Sequence, residues 1–354
     1  MDYSNTPPIV FIFCGQAVLW KTMALELYNE NSVFRESMDK IDNYLKNNYF
    51  NGESMLNKLR LLNDDDESPN NNQYLSHSIL FMFQVSLFEL YKSEGISPSL
   101  IYGVSCGEMA SLYCSGGVSL KNTCDLLIER ARLIDKIVKN CPKGIPFFTS
   151  LGSDEFIEKY SKKYSDIEIA GIHTDFSLLM GTTNFEQFDQ LFKEFKEKEI
   201  PIKRINACIP FHTSAMDFIK DDAFRIKEIK FDENSFTVPT YSSSNGKRYN
   251  ENNSFNIFKS IRNCLCTKIA IQDIFNKIEI NGSKKVIFVE LSPHPIASPM
   301  MYEIVRTLKS TIFTTTNNDE INPNVISLSS LNKNENDNIV FNNGIKTIKR
   351  HINL

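Results

Sequence analysis

Ile9-Val10-Phe11-Ile12-Phe13-Cys14 is an unbroken apolar run that stops at Gly15, the pattern of a strand buried on both faces and then a turn. Met23–Tyr28 and Val33–Leu45 instead space their apolar residues at helical intervals. Asn63–Gln73 is Asn, Asp and Ser with one Pro, and is predicted to be a disordered insertion. Tyr74–Glu94 reads as a long buried helix, stopped by Gly95-Ile96-Ser97-Pro98. Leu100–Tyr102 is predicted to be a short strand, Gly103–Gly107 a turn, and Glu108–Cys114 and Leu120–Lys139 helices, before Pro142 and Gly144 break the chain.

From Ile145 to Asn206 the rhythm changes. Strands are expected at Ile145–Leu151, Ile167–Ile172, Phe176–Met180 and Ile202–Ile205, with helices at Asp154–Lys163 and Phe185–Lys198. That β-α-β-β-α-β order is ferredoxin-like, and it reads as a subdomain inserted into a larger α/β unit. Beyond it the pattern predicts a helix near Asp217–Ile229, a strand near Thr237–Ser242, one helix over Ile257–Phe275 and a buried strand at Val286–Leu291. The expected organisation is a discontinuous core of residues 1–143 and 207–314, a small subdomain of residues 144–206, and a polar linker or tail at 315–354.

The chain has 354 residues, 42% hydrophobic and 23% charged, with net charge −4, values that rule out wholesale disorder. Without a basic surplus, neither a nucleic-acid partner nor a membrane surface is expected. Ser78–Tyr91 is too short and interrupted to span a bilayer, and no cationic segment precedes Ile9, so a cytoplasmic location is expected. The eight cysteines form no C-x-x-C pair and the five histidines do not cluster around them, so no metal site is expected.

The sharpest chemical feature is Gly103-Val104-Ser105-Cys106-Gly107, a G-x-S-x-G run between a predicted strand and a predicted helix. That context is the one a nucleophile elbow requires, because glycines permit the tight turn that exposes a serine hydroxyl at a helix N-terminus. Glu108 falls in the first helical turn, where a carboxylate suits the helix dipole. A serine nucleophile needs a base, and both His212, after Ile209-Pro210-Phe211, and His294, in Glu290-Leu291-Ser292-Pro293-His294-Pro295, are candidates. Arg130 and Arg132 lie on a helix among Leu126, Leu127, Leu133 and Ile134, and an arginine turned inward there needs a carboxylate partner.

Taken in order, these pieces resemble the malonyl-CoA:acyl-carrier-protein transacylase family, and more closely the acyltransferase domains of polyketide and fatty acid synthases. Four motifs carry the likeness: Phe13-Cys14-Gly15-Gln16 with Trp20, Gly103–Glu108, Pro210-Phe211-His212-Thr213 and Glu290–Pro295. Arg130 lies 25 residues after Ser105, and His212 lies 107 residues after it, both at the family's spacing. The resemblance implies an α/β-hydrolase-like core with a parallel sheet and an inserted ferredoxin-like subdomain. It implies Ser105 as nucleophile, His212 as base, and the backbone N–H groups of Gln16 and Cys106 as the oxyanion hole. It further implies Arg130 as the group that holds a malonyl carboxylate, Phe211 as a malonyl-selecting wall, and a backbone carbonyl near the Glu290–Pro295 loop that orients His212, with His294 in support. Val104 stands where the family has a histidine, and His77 where it has a glutamine. Ala17, Val18 and Leu19 also depart from its N-terminal pattern.

The implied reaction moves a malonyl or related acyl group from CoA, through an acyl-serine, to the phosphopantetheine thiol of an acyl carrier protein. No bound cofactor or metal is implied, and a polyketide synthase ketosynthase module is an implied neighbour. Two rivals remain at this stage. A serine hydrolase or thioesterase would expect an acidic residue between serine and histidine in chain order, where this chain has the ferredoxin-like insertion. A catalytically impaired scaffold or docking module is suggested by Val104, Ala17, Val18 and Leu19.

Overall fold

The computed structural model describes residues 6–15, 19–62, 72–205, 207–231, 236–250, 254–283, 285–307 and 324–352. The chain opens with β1 (Ile9–Phe13), buried along its whole length. Four helices follow, α1 (Leu25–Glu30), α2 (Ser32–Asn48), α3 (Met55–Arg60) and α4 (Gln73–Ser93). The side chain of Asn31 caps α2 by accepting the Phe34 N–H at 3.0 Å. Nearly every residue of α4 before Tyr91 is buried, so its apolar residues surround the helix rather than forming a stripe. Next come β2 (Leu100–Gly103), α5 (Glu108–Cys114) and α6 (Leu120–Asn140).

The small unit contains β3 (Ile145–Thr149), α7 (Ser153–Lys159), β4 (Glu168–Thr174), β5 (Ser177–Thr182), α8 (Phe185–Glu197) and β6 (Ile202–Arg204). Its strands form an antiparallel sheet in the order β4-β5-β3-β6, which is the ferredoxin-like arrangement. The chain returns through α9 (Lys220–Phe224), β7 (Ile229–Lys230), β8 (Thr240–Ser242), β9 (Ser254–Phe255), α10 (Ile257–Arg262) and α11 (Thr267–Ile280). It ends with β10 (Val286–Leu291), α12 (Ser298–Thr307), β11 (Val325–Ser329) and α13 (Asp337–Ile352).

The main sheet has the order β11-β10-β1-β2-β8, and every pairing in it is parallel. Side chains alternate across it. Phe11, Phe13, Ile287 and Val289 face the layer that contains α4, whereas Val10, Ile12 and Phe288 pack with Ile271, Ile274 and Met301 of α11 and α12. Helices on both faces explain why β1 and β10 read as continuous apolar runs. The register aligns Phe13 with Leu291 and Gly103, and Gly103 with Ser242. The segments that follow these strands therefore leave from one edge, the carboxyl edge where open α/β sheets place their sites.

Three expectations change. The stretch read as a polar tail holds β11, which extends the parallel sheet, and α13, whose Phe341 ring packs 4.9 Å from Tyr91. Asparagines hide the pattern there: Phe341, Ile345 and Ile348 are the large apolar residues of the buried stripe of α13, beside Asp337 and Gly344. The helix read over Ile257–Phe275 is broken into α10 and α11, with Asn263–Cys266 between them. The helix expected near Asp217–Ile229 is a 3-10 segment, Ser214–Ile219, followed by the short α9. Most of the Asn63–Gln73 insertion lies outside the described residues; Gln73 begins α4.

Candidate active site

Between β2 and α5 the chain makes one 3-10 turn, Ser105–Gly107. Both flanking glycines are required by close approach. A Cβ on Gly107 would lie 2.3 Å from the Phe13 carbonyl oxygen and 2.4 Å from that of Cys14. A Cβ on Gly103 would lie 2.4 Å from Ser111 Oγ and 2.9 Å from the α5 backbone at Glu108. Ser105 itself sits at φ +51°, a left-handed conformation that a residue with a side chain adopts only under constraint. Its N–H donates to Ser243 Oγ at 2.8 Å. Its Oγ lies 3.1 Å from His212 Nε2 and accepts from Arg130 Nη2 at 3.2 Å.

His212 is also left-handed, at φ +64°. Its N–H donates to the Ile261 carbonyl at 3.1 Å, and its Nδ1 lies 2.8 Å from the Asn263 carbonyl oxygen. A carbonyl can only accept, so Nδ1 carries the proton and Nε2 is left with a lone pair toward the Ser105 hydroxyl. Burial, then the nearby Arg130 charge, lowers the His212 pKa to about 3. The imidazole is therefore neutral, the form that can take a proton.

The carbonyl that orients His212 belongs to Asn263, in the break between α10 and α11. His294, expected in support, is exposed, and its Nδ1 accepts the Lys333 N–H at 3.4 Å. The carboxylate of Glu290 does structural work in that loop. Its Oε1 accepts the N–H groups of Ile296 at 2.8 Å and Ala297 at 2.9 Å, and its Oε2 accepts that of Ser298 at 2.7 Å, which anchors the entry to α12.

Arg130 does turn inward, as the apolar spacing of α6 allows, and is 3% exposed. Its Nε and Nη1 are buried with no hydrogen-bond partner among the described residues. Burial lowers its pKa, with Cys106 and Glu108 acting against the shift. Cys106 is buried beside it; burial raises the thiol pKa and the Arg130 charge opposes that. His77 is buried too, with Nδ1 2.8 Å from the Gln73 carbonyl oxygen and a pKa lowered to about 3 by burial and by Arg130. Val104 packs against the sheet face that contains Val10 and Tyr102, and Phe211 is half-buried against the opposite layer. Gln16, expected as an oxyanion donor, lies outside the described residues.

Glu108 is wholly buried. Its Oε1 accepts from Ser242 Oγ at 2.8 Å, Ser243 N at 2.7 Å and Ser243 Oγ at 2.8 Å, and its Oε2 from the Tyr249 hydroxyl at 2.9 Å. Burial raises its pKa, and these donors hold the shift back. Sequence reading passed over Ser243 and Asn263. The Ser242-Ser243-Ser244 run at the end of β8 was the available signal for the first. For the second there was only an asparagine inside an apparently unbroken helical period. No group of three or more His, Cys, Asp or Glu residues among those described is arranged to hold a metal ion. No helix among them is long and apolar enough to cross a membrane.

A parallel α/β sheet with helices on both faces, an added antiparallel sheet and a serine on a strained elbow against a neutral histidine defines the class: an α/β protein with a serine–histidine site. Within that class the chain belongs to the acyl transferase domain family, whose model matches residues 10–352. It is 34% identical over 306 residues to probable polyketide synthase 24 of Dictyostelium discoideum, which covers 85% of this chain and 12% of that protein. It is 33% identical over 342 residues to probable polyketide synthase 5 of the same organism, 95% of this chain and 13% of that one. The chain thus spans only about an eighth of these relatives' length. Among solved structures, the acyltransferase domain from module 8 of the salinomycin polyketide synthase superposes with TM-score 0.80 at 19% identity, covering 98% of this chain and 77% of that one. An avermectin loading acyltransferase superposes with TM-score 0.78 at 19% identity, over 96% and 99% of the two chains. These likenesses establish a shared fold.

Proposed function

We propose that this chain is an acyltransferase domain that moves a malonyl group from CoA, through an acyl-Ser105, to the phosphopantetheine thiol of an acyl carrier protein, within polyketide or fatty-acid synthesis. The observation that carries the reading is the chain from the Asn263 carbonyl through His212 to Ser105 Oγ, with the unpartnered face of Arg130 beside it. His212 Nε2 accepts the hydroxyl proton as Ser105 Oγ attacks the thioester carbonyl. The tetrahedral oxyanion is held by backbone N–H donors, for which Cys106 and Gln16 are the candidates, each worth about 2.7–4 kcal/mol. The intermediate collapses, the Ser105 ester forms, and the CoA thiolate leaves with the proton from His212. The carrier thiol then repeats the sequence in reverse order of partners.

Arg130 has two tasks in this scheme. Its fork matches a carboxylate with parallel donors, which compensates the hydration that a malonyl group loses on entry. Its charge is also one cause of the low His212 pKa. A bound carboxylate neutralises that charge, so the dicarboxylic substrate itself makes His212 a stronger base.

The test is transfer from malonyl-CoA in the presence and absence of a phosphopantetheinylated carrier protein. The reading expects the malonyl group on the carrier, and little hydrolysis without it. Steady release of free malonate that a carrier protein does not suppress would instead identify a thioesterase.

A further inference from the structure

We infer that the serine run Ser242-Ser243-Ser244, anchored on the buried Glu108 carboxylate, is a positioning element that sets Ser105 and His212 at their working separation. The inference rests on the acyltransferase reading for its chemistry, but its geometry is independent of the acyl group.

The run begins at Ser242, the last residue of β8, at the carboxyl edge of the sheet. Glu108 Oε1 gathers Ser242 Oγ, Ser243 N and Ser243 Oγ within 2.8 Å, and the Ser244 N–H at 3.3 Å. The Ser243 hydroxyl donates its proton to Glu108 Oε1. Its lone pairs are then left for the Ser105 N–H at 2.8 Å. This polarity cannot reverse, because a backbone N–H donates only. The contact holds the peptide of a residue kept at positive φ, where the conformation persists only if its surroundings over-determine it.

The same run reaches the base from the other side. The Ser243 carbonyl accepts the Cys266 N–H at 2.8 Å, and the Ser244 carbonyl accepts from Asn263 Nδ2 at 3.3 Å. Asn263 and Cys266 bracket the α10–α11 break, whose Asn263 carbonyl orients His212. The break is also tied to β4 of the small sheet, where Ile172 N donates to the Leu265 carbonyl at 2.8 Å and Leu265 N to that of Ala170 at 2.9 Å. One short segment thus touches the nucleophile residue through the Ser243 side chain, the base-orienting Asn263 through the Ser244 carbonyl, and the far end of the same break through the Ser243 carbonyl. Displacing the segment shifts both reacting atoms, and misplacement by about 1 Å can cost 10²-fold.

The experiment compares the full chain with Ser243→Ala, Asn263→Ala and the double variant in two assays. The first is the rate at which a fluorophosphonate probe phosphonylates Ser105, followed by intact mass. In that step Oγ bonds to phosphorus, fluoride leaves, and His212 takes the proton, so no acyl-CoA is needed. The second is kcat and KM for acylation by malonyl-CoA. Each single variant should lose about 10–100-fold in both phosphonylation rate and kcat, with KM changed less than ~3-fold. The double variant should be little slower than the slower single one, because both substitutions release the same segment. Asn263→Ala keeps the carbonyl and is half-buried, so it carries the test alone if Ser243→Ala does not fold. Single variants that phosphonylate at the wild-type rate, or losses that multiply in the double variant, would overturn the inference. A wild type that is phosphonylated at Ser105 but never acylated by malonyl-CoA would sink the acyltransferase reading and leave the positioning result standing.

Discussion

Replacing Arg130 with methionine should separate two quantities that usually fall together. Arg130 is 3% exposed, and its Nε and Nη1 lack partners among the described residues. An ionised group in that state costs stability, and an apolar side chain of similar length removes the cost. The unliganded variant should therefore keep or raise its Tm. Malonyl loading should fall for the opposite reason. Two charge-assisted hydrogen bonds contribute roughly 1.5–3 kcal/mol each, so losing both removes about 3–6 kcal/mol, or 10²–10⁴-fold. Acetyl loading needs no cation and should be spared or improved. Intact-mass time courses with malonyl-CoA and acetyl-CoA give the two rates, and a thermal melt of the same sample gives Tm. An unchanged malonyl-to-acetyl ratio would refute the carboxylate-binding role. A Tm loss of several degrees with both rates falling together would refute the view of Arg130 as an unsatisfied buried cation.

His212→Ala should slow acylation by about 10²–10⁴-fold without abolishing acyl-CoA binding, measured as rate against ligand-induced Tm shift; a near-neutral His212→Ala would mean that another group is the base. Stability should fall as pH drops below about 6.5, because His77, His173 and His212 are lowered to about 3, 4 and 3 by burial, so the unfolded chain binds those protons first. Asp337, pushed up to about 6 by burial, and Glu108, also raised, act with the opposite sign. His173→Gln should therefore flatten the slope of stability against pH by about 1.4 kcal/mol per pH unit between roughly pH 4 and 6, and an unchanged slope would contradict its burial as a neutral group. Gly107→Ala should cost at least about 1–3 kcal/mol in chemical denaturation, because its Cβ would meet two backbone oxygens; wild-type stability would contradict the close packing of the elbow on β1.

Local signals were legible where one residue type answers one physical demand. A strand buried on both faces must be apolar throughout, and Ile9–Phe13 and Val286–Leu291 are. The elbow announces itself because the end of β1 packs on Gly107 and the start of α5 on Gly103 too closely for any side chain at either position. The apolar neighbours on α6 pointed to an inward arginine without choosing between Arg130 and Arg132, and the choice of Arg130, which is the buried one, came from its distance to Ser105 in the family resemblance. What escaped depends on contacts distant in sequence. Asn263 acts through its carbonyl, which every residue has, and nothing at that position separates a helix interior from a helix end. Ser243 matters only because β8 pairs beside β2 and brings it to Ser105, 138 residues earlier. The strand Val325–Ser329 sits at the sheet edge, half-buried for most of its length, and so lacks the unbroken apolar run of its neighbours.

The account turns on Ser105 as the acyl carrier within the protein. The most direct test is to incubate the chain with malonyl-CoA, quench with acid, digest and locate the modified peptide by tandem mass spectrometry. The account predicts one malonyl ester, on Ser105, absent from Ser105→Ala and formed far more slowly by His212→Ala. A malonyl group found instead on a cysteine such as Cys106, or labelling that persists in Ser105→Ala, would contradict it.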